Sequence, residues 1–291
     1  MGDVGGLPPL RDVIARFDLG ARKALGQNFL LDLNLTARIA RAAGDLAGVT
    51  VVEIGPGPGG LTRALVATDA RAVVAVERDP RFVEALRDLV DAADGRLTLV
   101  RADALEIDPA DLVPAPRAVV ANLPYNVATP LLIGWLKRIE EYRSLTLMFQ
   151  KEVADRIVAK PDTKAYGRLS VIVQWRAQAH VLFNLPARAF TPPPKVMSTV
   201  VQLVPRTERE PAEWEAMEKV TAAAFGQRRK MLRQSLKTLG PGMPGGAEAL
   251  IEAAGLEPTA RAEEIPVAGF AALAREWRAR TPAASDRGSG R

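Results

Sequence analysis

A strand pattern runs directly into a glycine-rich turn and then into a helix pattern, a succession that few folds accommodate. Residues 49–54 form an apolar, β-branched run, residues 55–60 read Gly-Pro-Gly-Pro-Gly-Gly, and a helix pattern begins at Leu61. Glycines let a backbone come close to a ligand, and a helix N-terminus presents free amides. Glu77 ends the next apolar run, about 20 residues after the first glycine, where an acid is expected to meet ribose hydroxyls. The succession predicts a site for a nucleotide-like ligand.

Strand and helix patterns alternate as far as residue 150, which is typical of an α/β fold with a parallel sheet. Two further strands are predicted at residues 169–175 and 198–204. Beyond a polar, proline-flanked stretch at residues 205–211 the pattern is wholly helical. The sequence predicts a ligand-binding α/β domain over 1–205 (with an N-terminal helix and a ligand-contacting segment in 1–30), a helical domain over 211–280 and a disordered tail over 281–291.

The composition excludes several classes of catalytic site. Cysteine is absent and His180 is the only histidine, which excludes disulfides, a Cys/His zinc site and a Ser-His-Asp triad. His180 lies in a strand-like run, so a structural role is expected, and no metal site is predicted. No apolar run approaches the roughly 20 residues of a membrane span, and no secretory signal is visible, so a cytoplasmic protein is expected. A net charge of +5 and a pI near 9.7 favour an anionic partner.

The tetrapeptide Asn122-Leu123-Pro124-Tyr125 follows the apolar run 117–121 and precedes a helix pattern. In open α/β sheets the carboxyl ends of the strands form the edge where ligands bind. Pro124 stiffens the turn, Asn122 adds a side-chain acceptor, and Tyr125 offers a flat face for stacking. Such a set suits a planar ring that carries an exocyclic amino group. The alternative interpretation is an ordinary β-turn with a surface tyrosine.

Two further features leave alternatives open. Asp103 follows a predicted strand, where its carboxylate can accept from the amino group of an adenine or can simply cap the next turn. Gly55, Gly57 and Gly60 also satisfy the spacing of a nicotinamide-binding turn. Glu53 inside the strand, the prolines in the turn and the lack of an acid–base set for hydride transfer favour adenosylmethionine instead.

A basic segment at residues 227–237 carries five cations and no acid. We expect it to form one short helix, within 225–237, with its apolar side chains buried on one face. A run of cations usually forms a solvated face, but five uncompensated charges also suit a phosphate backbone.

Several motifs together resemble one family. They are Leu25-Gly26-Gln27-Asn28-Phe29-Leu30, Glu53-Ile54-Gly55-Pro56-Gly57, Asn122-Leu123-Pro124-Tyr125, Phe190-Thr191-Pro192-Pro193-Pro194-Lys195-Val196 and the basic segment. This set resembles the ribosomal RNA adenine N6,N6-dimethyltransferases, and within them the bacterial small-subunit enzymes that dimethylate two adjacent adenosines in the 3′-terminal hairpin of 16S rRNA. The resemblance covers about residues 20–280.

The resemblance implies a Rossmann-like class I methyltransferase fold, with a seven-stranded, mostly parallel sheet. It also implies S-adenosyl-L-methionine as cofactor and a role late in assembly of the 30S subunit, which a monomer would bind. We expect the cofactor to contact Asn28, Leu30, Gly55, Gly57, Glu77, Asp103, Ala104 and Asn122. The base is expected to be held and activated by Asn122, Leu123, Pro124, Tyr125 and Phe190. RNA is expected to contact Lys195, Arg228, Arg229, Lys230, Arg233 and Lys237.

Two alternative functions remain at this point. A related enzyme that methylates large-subunit rRNA shares the first domain, and the polyproline loop and the basic segment favour the small-subunit enzyme over it. The second alternative is that the protein is mainly an assembly factor that checks the 30S subunit, with methylation incidental.

Overall fold

The computed structural model describes residues 4–20, 27–239 and 244–281. Part of the Leu25–Leu30 motif and almost all of the predicted tail therefore lie outside the described residues. The chain divides into two compact units, Met1–Ala154 with Ala177–Pro205 and Asp155–Arg176 with Arg206–Arg291. The second unit thus includes residues 155–176, which the sequence pattern assigns to the first domain.

The first unit is built on a seven-stranded sheet. Its strands are β2 (Thr50–Ile54), β3 (Ala72–Glu77), β4 (Leu97–Arg101), β5 (Arg117–Ala121), β6 (Ser144–Gln150), β7 (Ala177–Leu185) and β9 (Ser198–Pro205). They lie in the order β4-β3-β2-β5-β6-β9-β7. The first five strands in that order are parallel, and β9 and β7 are antiparallel to their neighbours. The predicted mostly parallel, seven-stranded sheet is confirmed.

The chain changes direction across the sheet between β2 and β5. After β2 it adds β3 and β4 on one side, and β5 then returns to the other side of β2. β2 and β5 are paired in register, with Thr50 opposite Arg117 and Val52 opposite Val119. Extending that register places Gly55 level with Asn122. The glycine-rich turn and the Asn122–Tyr125 turn therefore leave the sheet side by side, at its topological switch point.

Helices cover the sheet of the first unit, and their apolar side chains form its core with strand residues such as Val51, Val73 and Val120. Polar side chains cap some of these helices: the Asp32 carboxylate, for example, accepts a hydrogen bond from the Asn34 backbone N–H at the start of the helix that begins at Leu33. The helices are α1 (Leu10–Arg16), α2 (Leu33–Ala42), α3 (Gly60–Val66), α4 (Pro80–Ala85), α5 (Arg87–Ala92), α6 (Pro109–Leu112), α7 (Tyr125–Lys137) and α8 (Lys151–Ile157), which runs on into the second unit.

The N-terminal segment is fastened over the glycine-rich turn. Its short strand β1 (Phe29–Leu30) pairs antiparallel with β8 (Phe190–Thr191). A Cβ atom on Gly60 would lie 2.5 Å from the Leu30 carbonyl oxygen, so only glycine lets the two backbones approach this closely.

The second unit is helical. Its helices are α9 (Arg168–Arg176), α10 (Trp214–Gly226), α11 (Leu232–Ser235), α12 (Gly246–Ala253) and α13 (Val267–Arg280). The strand predicted at residues 169–175 is wrong, because this segment is helix α9. Its side chains are buried nearly all round, including Ser170, Val173 and Trp175. A short β-branched run that is buried on all sides carries no periodicity to separate a strand from a helix.

The single basic helix predicted within residues 225–237 is also wrong. Helix α10 ends at Gly226, a turn follows, and Met231 adopts an extended backbone that forms an isolated bridge with Arg261. Only four residues, Leu232–Ser235, then form α11 before a 3-10 turn. The backbone pairing of Met231 competes with helix formation at the centre of the segment.

None of the helices in the described parts of the chain is long and apolar enough to cross a bilayer.

The close approach at Gly60 predicts a specific loss of stability. We expect Gly60→Ala to destabilise the protein by about 1–3 kcal/mol, because a backbone atom must shift to admit the methyl group. Gly134 in α7 is the matched control, since nothing lies within 4 Å of a Cβ atom there. Chemical denaturation of both alanine variants measures the difference, and an unchanged midpoint for Gly60→Ala would contradict the packing described.

Candidate active site

One cleft of the first unit joins the glycine-rich turn to the Asn122–Tyr125 turn. Both turns follow parallel strands that pair directly, so their open ends face the same space. Asn122 and Tyr125 are half-buried, which leaves part of each side chain accessible. The cleft is lined by Gln27, Asn28, Phe29, Leu30, Glu53, Gly55, Pro56, Gly57, Pro58, Gly60, Leu61, Glu77, Asn122, Leu123, Pro124 and Tyr125.

The amide of Asn122 has a fixed orientation. Its Nδ2 donates to the backbone carbonyl oxygen of Asn28 at 3.2 Å. The donor end of the amide is thereby occupied by the N-terminal segment, and its Oδ1 is left as an acceptor. Leu123 and Pro124 also line the cleft, and the carbonyl of Pro124 accepts from Val127 and Ala128 to start α7.

Tyr125 is held through its hydroxyl group. The Tyr125 Oη and the Ser198 Oγ are 2.5 Å apart, and Ser198 is fully buried at the start of β9. Burial raises the pKa of Tyr125, so the phenol stays protonated at neutral pH. The hydrogen bond restrains the ring to one orientation at the rim of the cleft. Sequence analysis missed Ser198, because nothing in the pattern separates it from any other first residue of a strand.

Glu77 connects the glycine-rich turn to β3. One carboxylate oxygen accepts from the Asp79 backbone N–H at 2.8 Å, and the other lies 3.4 Å from the Gly57 backbone nitrogen. Burial raises the pKa of this carboxyl group, and the backbone donors oppose that shift. Gly57 lies against the ring of Phe29, because a Cβ atom added to Gly57 would be 3.4 Å from the nearest ring carbon.

Glu53 places a second carboxyl group at the base of the cleft. It is 1% exposed, and its Oε2 has no hydrogen-bond partner within the described residues. Burial raises the pKa of Glu53 to about 8. A buried carboxyl oxygen without a partner is costly, and a cationic or donor group of a bound ligand would satisfy it.

Asp103 and Ala104 are not among the residues that line the cleft. Asp103 accepts from the Leu105 backbone at 3.0 Å, which is the turn cap considered as an alternative. Its other oxygen forms an ion pair with the exposed Arg78 at 2.8 Å. An ion pair with such an exposed arginine contributes little to stability. This oxygen can therefore exchange Arg78 for another hydrogen-bond donor.

Phe190 is not brought to the cleft. It is 3% exposed and packs in the core of the first unit as part of β8, opposite Leu30. Core packing accounts for its aromatic character here, and its role in stacking on a base stays a prediction. Lys195 is exposed in the loop that leads to β9.

The basic residues predicted to bind RNA fall into two groups. Arg228 and Arg233 have acidic neighbours, Glu263 at 3.1 Å and Glu248 at 3.9 Å, so the charges of this segment are partly compensated. Arg229, Lys230 and Lys237 are exposed and form no ion pair with any described residue.

Comparison with known proteins identifies the family. The family model described as "Ribosomal RNA adenine dimethylase" matches residues 19–278. The chain belongs to the ribosomal RNA adenine dimethylase family.

Its relatives in this dimethylase family are similar over nearly their whole length. The protein named ribosomal RNA small subunit methyltransferase A from Paramagnetospirillum magneticum is 61% identical, over 94% of this chain and 96% of the relative. The protein of the same name from Rhodospirillum rubrum is 62% identical, over 93% and 92%.

Solved structures confirm the fold predicted from the resemblance. A dimethyladenosine transferase from Plasmodium falciparum superposes with a TM-score of 0.70 at 23% identity, covering 83% of this chain and 94% of that one. The 23S rRNA methyltransferase ErmE superposes with a TM-score of 0.64 at 29% identity, covering 86% and 99%.

The buried Glu53 of this dimethylase predicts a pH dependence of stability. Its ordinary pKa of 4.5 applies to the unfolded chain, and its folded pKa is about 8. Between these values the unfolded state releases a proton that the folded state keeps, so stability falls as pH rises. The slope reaches about 1.4 kcal/mol per pH unit and flattens above pH 8.

We expect Glu53→Gln to remove this slope, because glutamine does not titrate. Urea denaturation of both proteins from pH 5 to pH 9 measures the difference. Parallel stability curves across that range would show that Glu53 does not carry the raised pKa.

Proposed function

We propose that this protein transfers methyl groups from S-adenosyl-L-methionine to N6 of two adjacent adenosines in the 3′-terminal hairpin of 16S rRNA. The observation that carries the proposal is the single cleft in which the Asn122 acceptor faces the glycine-rich turn. Such a cleft holds a methyl donor and an amino-purine side by side. Family membership supports the reaction class, and the names of the 61–62% identical relatives support the small subunit as substrate.

The residues of the cleft fit the cofactor. Gly55 and Gly57 have positive φ values, and because glycine has no side chain the space beside the turn stays open for a ligand. Glu77 has the position of a ribose-binding acid, and the unpartnered oxygen of Glu53 suits a cationic donor. When bound, the cofactor supplies a sulfonium-activated methyl group. Asn28, Leu30, Asp103 and Ala104 complete the set that we propose to contact it.

The target nitrogen needs activation, because the lone pair of the N6 amine is delocalised into the adenine ring. The Asn122 Oδ1 and the Leu123 carbonyl oxygen would each accept one N6 hydrogen and draw the nitrogen towards a tetrahedral shape. The lone pair is then exposed for in-line displacement. The alkylated amine is acidic enough to lose its proton to water, so no strong base is required. Positioning then supplies most of the rate.

Tyr125 would hold the extruded base by stacking. Stacking of one base on an aromatic ring contributes roughly 1–3 kcal/mol, which is comparable with the few kcal/mol needed to unstack it. The hydrogen bond to Ser198 keeps the ring in place before the base arrives. Pro124 adds stiffness to the same turn.

The proposed partner is 16S rRNA within a 30S subunit or its precursor, bound by a monomer in the bacterial cytoplasm. The alternative of a large-subunit enzyme is supported by ErmE, but at 29% identity that likeness is weaker than 61–62% over nearly the whole chain. An assembly-factor role is compatible with the enzyme. The acceptors Glu77 and Asn122 are both present, which favours an active enzyme over a methyltransferase fold that has lost its activity.

The proposed function predicts transfer of labelled methyl groups from adenosylmethionine to unmodified 30S particles, with two adjacent dimethyladenosines mapped near the 3′ end of 16S rRNA. Methylation of 23S rRNA instead would establish the large-subunit alternative. Restored assembly by a catalytically inactive variant, in cells that lack the protein, would favour the assembly-factor role.

In the same assay we expect Asn122→Ala to lower the single-turnover rate by about 10²–10³, the cost typical of losing one preorganised hydrogen-bonding group. Binding of cofactor and 30S particles is expected to change only severalfold. The matched control is Asn126→Ala, an exposed asparagine one residue past the turn, which should leave the rate unchanged. An unaltered rate for Asn122→Ala would exclude the activation mechanism above.

A further inference from the structure

Three neighbouring strands of the first unit each present a polar residue at the edge of the sheet where the cleft lies. The strands β5, β6 and β9 are consecutive in the strand order. Asn122 follows β5, Gln150 is the last residue of β6, and Ser198 is the first residue of β9. Asn122 and Ser198 already have roles in the site proposed for the base. Gln150, on the strand between them, is a polar residue that the activation mechanism does not use.

The strand register fixes the side of the sheet to which Gln150 points. Gln150 lies directly opposite Ser198 in the antiparallel pair of β6 and β9, and such residues carry their side chains on the same face, with Cβ atoms about 5 Å apart. Side chains alternate along a strand, so Gln150 also shares a face with Met148. Met148 packs in the same hydrophobic cluster as Val120, two residues before Asn122. Gln150, Asn122 and Ser198 therefore share one face.

Tyr125 passes over the end of β6. The tyrosine starts α7 just after β5, and its Oη lies 2.5 Å from the Ser198 Oγ on β9. Because β6 lies between these two strands, the tyrosine side chain spans the strand end that carries Gln150. The Gln150 side chain is therefore beside the ring on which we propose that the base stacks.

The amide of Gln150 is available to a ligand. Gln150 is half-buried, and its side chain forms no hydrogen bond with any residue that the structure describes. Its neighbours differ in this respect, because the Asn122 Nδ2 donates to a backbone carbonyl and the Tyr125 hydroxyl is paired with Ser198. A polar group that loses water when a ligand binds needs a hydrogen-bond partner in the complex. An acceptor on the ligand would satisfy the Gln150 Nε2.

An adenine held by Asn122 offers such an acceptor. Its N6 amino group lies between two ring nitrogens, N1 and N7, and both of them accept hydrogen bonds. The Asn122 Oδ1 and the Leu123 carbonyl oxygen, which we propose to accept the N6 hydrogens, cannot also bind the ring nitrogens, because an acceptor has no proton to donate. The Gln150 Nε2 is a donor on the neighbouring strand and on the same face.

We propose that Gln150 contacts the target base, with its Nε2 donating to a ring nitrogen next to the N6 amino group. The proposal rests on the proposed function for the identity of the base. It adds a residue of β6 to the contacts made by the Asn122–Tyr125 turn. It also makes recognition depend on the purine ring as well as on the amino group.

The first test removes the donor. We expect Gln150→Leu to lower the single-turnover rate of methyl transfer to unmodified 30S particles roughly tenfold, the order of one lost hydrogen bond. The melting temperature and the affinity for the cofactor should not change, because Gln150 makes no side-chain hydrogen bond within the described protein and lies outside the cofactor side of the cleft. The matched control is Gln178→Leu, an exposed glutamine of β7 that pairs opposite Val204, at the far end of β9 from Ser198. It should leave the rate unchanged.

The second test identifies the contact on the base. 30S particles are reconstituted with 16S rRNA that carries a ligated synthetic 3′ segment, in which both target adenosines are replaced by 1-deazaadenosine or by 7-deazaadenosine. Each analogue exchanges one ring nitrogen for a C–H group. We expect one of them to slow the wild-type protein roughly tenfold more than it slows Gln150→Leu, because the variant has already lost that hydrogen bond. The comparison cancels any change that the analogue itself makes in the reactivity of the amine.

Two results would overturn the proposal. One is an unchanged rate for Gln150→Leu. The other is an equal loss for the wild-type protein and for Gln150→Leu on both analogues, which would make Gln150 a positioning residue for Tyr125. If Gln150→Leu were unstable, Gln150→Glu would decide, because an ionised carboxylate keeps the shape of the side chain and cannot donate. A normal rate for Gln150→Glu would then contradict the contact.

These outcomes differ from failure of the proposed function. If the wild-type protein transferred no methyl group to ordinary 30S particles, the proposed function would fail. If it dimethylated them while Gln150→Leu kept the full rate, only the role of Gln150 would fail.

Discussion

The pairing of β2 with β5 is the constraint on which the site depends. Two parallel strands that pair in register must end level with each other, and here one ends in a glycine-rich turn and the other in Asn122. The backbone ladder, which is the most rigid part of an α/β unit, therefore sets the separation of the two halves of the cleft. A backbone carbonyl of the N-terminal segment and a serine side chain of β9 only refine positions that the ladder has already defined.

The chemistry that we propose for the site relies on hydrogen-bond acceptors and not on strong acids or bases. Asn122 is oriented by a backbone carbonyl, and Tyr125 by a buried serine. Both groups remain uncharged at neutral pH. Two buried carboxyl groups, Glu53 and Glu77, line the part of the cleft that we propose for the cofactor, and burial raises both pKa values. This separation of roles explains how a chain with one histidine and no cysteine can carry a methyl-transfer site.

Local patterns in the sequence were sufficient for the parallel part of the sheet and for most of the cleft. The glycine-rich turn, Glu77 and Asn122 each follow a strand, and strand ends are set by short-range sequence. The failures came where distant residues decide the outcome. The run 169–175 is a helix because it is buried on every side, and the basic segment is broken because Met231 pairs with Arg261.

The hydrogen bond between Tyr125 and Ser198 also has a consequence for synthesis of the protein. Residues that complete the cleft are spread from Asn28 to Ser198, and β9 enters the sheet beside β6, which precedes it by many residues. A nascent chain can form β2 to β5 and the glycine-rich turn well before residue 198 has left the ribosome. The ring of Tyr125 gains its hydrogen bond to Ser198 only when β9 has joined the sheet, so the site proposed for the base is completed after the site proposed for the cofactor.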